Sequence, residues 1–302
     1  MLYAGLDIGN LTTKVVILED DEVLSQGIIN SVEEGDARAR KAMDMALEGT
    51  GFSSGDIAYV VATGAGRKTI SLAQKQRAPS SCLARGISRL LPSVRTLIDV
   101  GAETCTVVRV NERGAADESI GNERCASGTG VFLETMAKLM QMSLEEMANA
   151  SLLAQGKAEI TNMCAIFAEQ EVISHVHRDP PTPKNDIIAG IHASMATQVG
   201  GLAKRMGIKG DAALTGGVAR NAGFVSALQE NLGVVLMVPD RPELVAALGA
   251  ACAARDEGSR AEYRRADLHS ECPHRQDRRI SDLQMPGYHG LPDSPGRVEL
   301  RW

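Results

Sequence analysis

The chain has 302 residues, 44 % of them hydrophobic, and a formal net charge of −6 at pH 7. This length suffices for two domains with apolar cores, and the net acidity argues against a nucleic-acid partner, which would need a basic face. The longest apolar run, 244–254, is too short to span a bilayer, and the first residues lack the basic segment of a secretory signal. We therefore expect a cytoplasmic protein with no membrane partner, in which cysteines serve as thiols or metal ligands rather than as disulfides.

The N-terminal third alternates between strand and helix patterns. Apolar and β-branched runs predict strands at 2–8, 14–19, 22–29 and 57–63, and helical spacing predicts helices at 33–49, 66–75 and 82–91. The pattern then restarts with strands at 94–100 and 105–110. In both places a strand ends in Asp-x-Gly and returns after a polar turn, at Asp7 and again at Asp99. This recurrence predicts one structural unit present twice, as gene duplication would produce, although chance recurrence of a common hairpin is the alternative.

The rest of the chain predicts helices at 131–141, 164–177, 186–206, 223–231 and 242–254, with strands at 212–215 and 234–238. We expect a first subdomain over 1–91 and a second over 92–255, whose final helix packs back on the first. Residues 256–302 are rich in Arg, Asp, Ser, His and Pro, so we expect a poorly ordered polar tail.

Three motifs have the chemistry of a nucleotide site. A carboxylate at a strand end suits Mg²⁺ with its water shell, and the amides and hydroxyls of a tight turn suit phosphate oxygens. A Gly-Gly pair ahead of a helix lets a nucleotide approach the backbone closely. The first motif runs from Asp7 to Lys14, the second from Asp99 to Glu103 and the third from Gly216 to Asn221. The chain has no Gly-x4-Gly-Lys-Ser/Thr loop, so it is not a P-loop protein.

Two of the six cysteines stand just ahead of predicted helices, Cys125 before Gly128-Thr-Gly130 and Cys164 at the start of 164–177. Helix N-termini favour thiolates, and thiolates are the natural ligands of iron–sulfur clusters. Two cysteines cannot complete a four-ligand site, but two chains meeting on an axis can. Cysteines 82, 105 and 252 are expected to be buried packing residues, and a metal role for Cys272 is a weak alternative.

At this point the chain resembles a known family. The order of the three motifs is similar to that of the actin/Hsp70/sugar-kinase superfamily, which implies a duplicated two-domain α/β ATPase fold with mixed sheets flanked by helices. Three further motifs resemble the BadF/BadG/BcrA/BcrD-type ATPases, namely the activators of 2-hydroxyacyl-CoA dehydratases and the ATPase subunits of benzoyl-CoA reductase. These motifs are Asn122-x-x-Cys-Ala-x-Gly-Thr-Gly130, Cys164-x-x-Phe-Ala-Glu-x-Glu-Val-Ile-Ser174 and Asp186-Ile-Ile-Ala-Gly-Ile-His192.

The resemblance implies ATP and Mg²⁺ between two domains and one [4Fe-4S] cluster shared by two subunits. It implies catalytic roles for Asp7, Asp99 and Glu103, with cluster ligation by Cys125 and Cys164. The residues it assigns to nucleotide and Mg²⁺ binding are Gly9, Asn10, Thr12, Thr13, Lys14, Gly101, Gly216, Gly217 and Asn221.

One departure affects the expected partner. The activators usually carry Gly-Gly-Gln where this chain has Gly101-Ala102-Glu103, a form more similar to the smaller ATPase subunit of benzoyl-CoA reductase. We therefore expect an electron-transfer subunit that works with a paralogous ATPase subunit, substrate-binding reductase subunits and ferredoxin as electron donor. A homodimeric dehydratase activator is the first alternative, and a sugar kinase without a cluster is the second. Whether Glu103 polarises the attacking water or repels the γ-phosphate stays open.

Overall fold

Two five-stranded mixed sheets form the scaffold of the part of the chain that the structure describes. The structure is a computed structural model that describes residues 1–30, 34–122 and 126–270, with side chains described up to residue 261. The first sheet has the order β3-β2-β1-β4-β5 and the second the order β8-β7-β6-β9-β10. The strands are β1 Leu2–Ile8, β2 Thr12–Glu19, β3 Glu22–Asn30, β4 Ile57–Thr63, β5 Lys75–Gln76, β6 Val94–Val100, β7 Cys105–Val110, β8 Ala116–Asn122, β9 Asp211–Thr215 and β10 Leu236–Met237.

Helices cover both sheets, as expected from the alternation of strand and helix patterns. They are α1 Gly35–Leu47, α2 Pro79–Leu90, α3 Gly130–Leu139, α4 Leu144–Leu152, α5 Ala165–His177, α6 Lys184–Met206, α7 Ala222–Leu232 and α8 Val245–Ser270. Within the residues described, none of these helices is long and apolar enough to cross a membrane. The α/β class with mixed sheets and flanking helices is confirmed.

The two sheets repeat one topology. In the first, β1 pairs antiparallel with β2 and parallel with β4; in the second, β6 pairs antiparallel with β7 and parallel with β9. The register places Asp7 beside Thr63 and Asp99 beside Thr215. The repeat therefore extends beyond the two Asp-x-Gly turns to a Thr-Gly step at the end of the neighbouring strand.

Two helices lie between the sheets and carry the contact between them. Helix α8 packs on the first sheet, in a cluster that includes Tyr3 and Val61, while α2 packs on the second sheet around Leu97. The helices cross at Gly86 and Gly249. A Cβ built at Gly249 would overlap the carbonyl oxygen of Cys82, so only glycine allows the backbones to touch there.

Two predicted segments have a different structure from the one expected. Residues 66–75, predicted as a helix, form a short 3₁₀ helix at Ala65–Thr69 followed by β5. The final helix continues to Ser270, so the polar tail assigned from 256 begins with helix. Ion pairs explain this continuation, because Asp256 pairs with Arg85 and Glu257 pairs with Lys75 and Arg77. The rest of the predicted tail, 271–302, lies outside the described residues, and the boundary between subdomains stays a proposal.

The glycine crossing generates a stability prediction. In Gly249→Ala the added methyl must push α8 away from α2, so we expect a loss of about 3 kcal/mol in the free energy of unfolding, the range of costly overpacking. Thermal unfolding followed by circular dichroism measures it. The control is Gly201→Ala on α6, where a Cβ meets no atom within 4 Å. Equal melting temperatures for the two variants would contradict the role of the crossing.

Candidate functional site

Two equivalent turns face each other at the ends of β1 and β6. The Gly9 amide donates to the carbonyl of Thr12 at 3.0 Å, and the Gly101 amide donates to that of Thr104 at 2.8 Å. The side-chain amide of Asn10 donates to a carboxylate oxygen of Glu103, which joins the two turns directly. The structure thus brings together the first and second predicted nucleotide motifs, which are far apart in the sequence.

Two carboxyl groups come near each other behind these turns. Lys14 Nζ lies 3.3 Å from Asp7 Oδ2, and Thr215 Oγ1 donates to Asp99 Oδ1 at 2.9 Å. Burial raises the pKa of Asp99 to about 6; the negative charge of Asp7 adds to this rise, while the Thr215 hydrogen bond and the positive charge of Lys14 oppose it. A divalent cation at this point would offset the repulsion between the two carboxylates.

The residues of the first turn differ in where their side chains lie. Asn10 is exposed and Thr12 and Lys14 are half-buried, whereas Thr13 is fully buried. Because side chains alternate along a strand, Thr13 lies on the face of β2 opposite Lys14. The role of Thr13 in nucleotide binding stays a prediction.

The third motif is joined to the second. Thr215 precedes Gly216, which adopts a positive φ of 86° and donates its amide to the carbonyl of Pro242 at 3.0 Å. A Cβ at Gly217 would meet no atom within 4 Å, so open space lies against this part of the backbone. Asn221 caps α7, because its Oδ1 accepts the amide of Phe224 at 2.9 Å. Its side chain thus has a structural partner, although its buried Nδ2 has none among the described residues.

A buried carboxylate that the sequence analysis did not single out fixes the loop of the third motif. Arg220 donates to Glu243 at 2.9 and 2.7 Å, and Arg241 donates to the same carboxylate at 2.9 Å. Burial alone would raise the pKa of Glu243, but the hydrogen bonds from both guanidinium groups outweigh it and hold that pKa at about 2. This network ties the loop at 217–220 to the segment at 242–244.

The first sheet has its own version of the Thr-Gly step, to which the sequence analysis gave no role. Gly64 has a φ of 89°, and a Cβ there would lie 2.5 Å from Asp7 Oδ1. Arg38 of α1 reaches the same place, with its Nη1 3.4 Å from the carbonyl oxygen of Gly9. The recurrence of Thr-Gly after a buried strand, at 63–64 and 215–216, is the signal that would have found it.

Cys164 is half-buried and occupies the N-cap of α5 without a side-chain hydrogen bond to the helix. Large apolar side chains surround it on the surface: Met163 is 80 % exposed, Ile166 64 % and Phe167 58 %. Apolar side chains exposed together around a thiol are unusual on the surface of a monomer and suit a site that a second chain completes.

Cys125, the other predicted ligand, lies outside the described residues. Ser127, two residues after Cys125, contacts the segment before Cys164, because its Oγ donates to the carbonyl of Asn162 at 3.4 Å. In the described part of the chain, no three or more His, Cys, Asp or Glu side chains group to hold a metal. Two thiols per chain would not form such a group.

The remaining described cysteines are buried, as expected. Burial raises the pKa of the Cys82 thiol to about 11 and that of Cys105 to about 12, and Cys252 lies in the apolar part of α8. Buried thiols of this kind are poor nucleophiles and poor ligands. Cys272 lies outside the described residues.

The nucleotide turn and the cysteine region share hydrogen bonds. The amides of Gly130 and Val131, at the start of α3, donate to the carbonyls of Gly101 and Ala102 at 2.9 and 2.8 Å. The second turn is thereby bonded to the start of α3, the first α-helix after Cys125 in the sequence. The geometry combines a candidate phosphate and Mg²⁺ site with a direct backbone connection to one of the two cysteine-bearing regions.

Comparison with known proteins agrees with this geometry. The model of the BadF/BadG/BcrA/BcrD ATPase family matches residues 4–254. The chain is 40 % identical to the activator of lactoyl-CoA dehydratase from Anaerotignum propionicum, over 83 % of this chain and 96 % of the relative. It is 30 % identical to a benzoyl-CoA reductase subunit from Thauera aromatica, over 83 % of this chain and 92 % of that relative.

The solved structures give the same picture. The activator of the 2-hydroxyisocaproyl-CoA dehydratase from Clostridium difficile, with bound ADPNP, superposes with a TM-score of 0.82 at 37 % identity, covering 87 % of this chain and 98 % of that one. A ROK family protein from Streptococcus pneumoniae has a TM-score of 0.51 at 10 % identity, over 86 % of this chain and 100 % of that one, and shows the fold alone. The expected superfamily fold is confirmed.

The position of Asp99 generates a pH prediction. Its pKa is about 6 in the folded chain and 3.8 in the unfolded reference, so its neutral form stabilises the fold below pH 3.8 and this stability is lost as the pH rises through 6. Without nucleotide, we expect Asp99→Asn to gain about 3 kcal/mol relative to wild type at pH 7.5, and the gain to vanish towards pH 4.

Urea unfolding at a series of pH values measures this difference. Asp211→Asn, at an exposed aspartate of the neighbouring strand, reports the effect of losing a surface charge. A gain for Asp99→Asn that is the same at pH 4 and pH 7.5 would show that burial of the charge is not its cause.

Proposed function

The chain belongs to the BadF/BadG/BcrA/BcrD ATPase family, and from this premise we propose that it is an ATP-hydrolysing activator of a 2-hydroxyacyl-CoA dehydratase. One observation carries the proposal: the chain is 38–40 % identical to three such activators over at least 94 % of their length. The benzoyl-CoA reductase relative, whose type the sequence analysis preferred, is only 30 % identical. In this proposal the chain supplies low-potential electrons to the dehydratase at the expense of ATP.

The two facing turns bind the phosphates and Mg²⁺ in this proposal. Asp7 and Asp99 hold the cation, largely through its waters, since Mg²⁺ keeps several waters when it is bound by one or two carboxylates. Lys14 and Asn10 lie beside Asp7 on the first turn and meet phosphate oxygens. Gly9, Thr12, Thr13 and Gly101 contribute through the turn backbone, and Gly216, Gly217 and the capped Asn221 line the nucleoside side. Burial, together with the negative charge of Asp7, disfavours the ionised form of Asp99, and a divalent cation would offset both effects.

Glu103 positions and deprotonates the attacking water in this proposal. Its side chain is exposed on the second turn and reaches the first turn through Asn10. A carboxylate at hydrogen-bond distance from a water next to the γ-phosphate is a suitable general base. The Asn10 amide holds the Glu103 side chain in orientation and leaves its second oxygen for the water.

Cys164 and Cys125 of each chain hold one [4Fe-4S] cluster between two copies in this proposal. Such a cluster accepts and delivers one electron at a time at low potential. The residues present fit it: Cys164 is partly accessible, lies at a helix N-terminus and is ringed by exposed apolar side chains that a second copy would cover. Within one chain two thiols leave half of the ligands to the partner.

The partners follow from this assignment. They are a second copy of this chain, the dehydratase that receives the electron, and a ferredoxin as donor. A paralogous ATPase subunit with reductase subunits is the second candidate, favoured by Ala102-Glu103 in the second turn. A sugar kinase is the weakest candidate, since its likeness to this chain supports the fold alone.

Iron analysis of the anaerobically purified protein tests the cluster. We expect about two irons per chain in the wild type, and near-complete loss of iron and of the reduced-cluster EPR signal in Cys164→Ala and Cys125→Ala. Cys252→Ala, at a buried cysteine of α8, is the matched control and should keep both. A colourless wild type without iron or sulfide would sink the proposal.

Light scattering and co-purification separate the two candidate assemblies. A holoprotein of two identical chains that stimulates a 2-hydroxyacyl-CoA dehydratase when ATP and a reductant are added supports the activator. A chain that acquires iron only when it is co-expressed with a paralogous ATPase subunit supports the reductase.

Glu103→Gln tests the role of the second turn. The variant keeps an oxygen for the Asn10 amide but cannot take a proton, so we expect kcat for ATP hydrolysis to fall about 100-fold while the Kd for a nucleotide analogue changes little. Glu112→Gln, at an exposed position between β7 and β8, is the control. A variant that hydrolyses ATP as fast as wild type would contradict the general-base role, and a faster variant would show that the carboxylate repels the γ-phosphate instead.

A further inference from the structure

One face of α6 carries a row of four residues that contact a single extended segment. Asp186, Gly190, Ser194 and Gln198 are four residues apart, so they lie one above the other along the helix. The segment is 155–162, which leads directly to Cys164; we call it the strap. The row meets the strap at each successive turn of the helix.

The first half of the strap is fixed by Asp186 and Gly190. Asp186 Oδ1 accepts the amides of Gln155 at 3.0 Å and Gly156 at 2.9 Å, and its backbone carbonyl accepts the amide of Ala158 at 2.9 Å. A Cβ built at Gly190 would overlap the carbonyl oxygen of Ala158. Glycine at this position therefore lets the strap lie against the helix backbone.

The second half is held from both sides. Ser194 Oγ donates to the carbonyl of Thr161 at 2.7 Å, and Gln198 Nε2 donates to the carbonyl of Asn162. From α5, Glu171 Oε2 accepts the amide of Thr161 at 2.5 Å. The last fixed residue of the strap is thus two positions before Cys164.

Helix α5 has few buried side chains that hold it against the rest of the protein. Ala168, Val172 and His175 are its buried side chains, and a cleft of about 980 Å³ lies between α5, the strap and α6. The position of Cys164 at the start of α5 therefore depends on the strap that precedes it as much as on the packing of the helix that follows.

We propose that Asp186, Gly190 and Ser194 are positioning residues for the Cys164 thiol, acting through the strap. As a statement about metal binding this rests on the proposed function; as a statement about the thiol it holds for the metal-free chain. A metal ligand needs its supporting groups to be fixed, because loss of such support typically weakens metal binding 10–100-fold. None of the three residues touches the thiol, so each affects only the position of the Cys164 thiol.

The decisive comparison is Gly190→Ala against Gly201→Ala, the same change on the same helix. The first methyl collides with the strap, whereas the second meets no atom within 4 Å. In the metal-free full-length protein we measure iodoacetamide labelling of Cys164 by peptide mass spectrometry and amide hydrogen exchange over 155–163. We expect about fivefold or faster labelling and exchange in Gly190→Ala, and wild-type behaviour in Gly201→Ala, because a displaced strap opens locally.

Ser194→Ala is the second variant and covers the case in which Gly190→Ala does not fold. It removes one hydrogen bond without adding volume, so we expect the same changes at about twofold to threefold. Wild-type labelling and exchange in both folded variants, or in Ser194→Ala alone if Gly190→Ala is unfolded, would overturn the strap as a positioning element, whatever metal the protein binds.

The rate of iron release measures the role of the strap in metal binding separately. After anaerobic reconstitution we expect a chelator to remove iron about tenfold faster from Gly190→Ala than from Gly201→Ala, although the cysteines are unchanged. Equal release from the two would overturn the role towards the metal. A wild type that takes up no iron would overturn the proposed function and this metal role together, while labelling and exchange would still decide whether the strap places the thiol.

Discussion

Burial of the Asp99 carboxyl group, with Asp7 nearby, is the constraint around which the candidate nucleotide site is arranged. Asp7 and Asp99 end the central strands of the two sheets, and the duplicated topology brings these ends together. Keeping Asp99 ionised there costs about 3 kcal/mol at neutral pH, which follows from a pKa of about 6 in place of 3.8. Lys14 and Thr215 reduce the cost without removing it, and a divalent cation would supply the missing positive charge. The fold is thus locally strained in favour of a ligand, as functional sites commonly are.

The contact between the sheets is closely packed, in contrast to the strained site at the strand ends. At Gly86 and Gly249 the backbones of α2 and α8 touch, and an apolar cluster surrounds the crossing on either side. Ion pairs from Asp256 and Glu257 continue the contact beyond the crossing. Closely packed interiors do not deform continuously. A rotation of one sheet against the other about this contact would change the separation of the turns around Asp7 and Asp99.

The sequence predicted the buried parts well and the polar parts poorly. Strands at 2–8, 57–63, 94–100 and 105–110 were predicted with their observed bounds, because buried β-branched runs have a clear pattern. Strand β8 was missed since it is a polar, largely exposed strand at the edge of its sheet, where it pairs with β7. Helix α4 was missed although Ser143 and Glu146 form a capping box, which is a readable signal. The capping role of Asn221 is a local signal that was not read, whereas the bonds between Arg220 and Glu243 join residues far apart in the sequence. The preference for a reductase subunit rested on one turn, Ala102-Glu103, and similarity along the whole chain outweighs it.

A short route of hydrogen bonds runs from the second turn to both cysteine-bearing regions. The carbonyls of Gly101 and Ala102 accept the first amides of α3, and Ser127, just before α3, contacts Asn162 at the end of the strap. Intermediate position alone would not establish coupling between two sites. The two bonds from the second turn to α3 are backbone–backbone bonds, so a shift of this turn must move the start of α3 or break them. The Ser127 hydroxyl extends this route to Asn162 by a side-chain bond of 3.4 Å. Because Asn162 is also bonded to Gln198 on α6, the segment before Cys164 has one partner that moves with the turn and one that belongs to the rigid helix. A shift of the second turn would therefore change the relative position of the two cysteine-bearing regions, which in the proposed function hold a cluster together with a second chain.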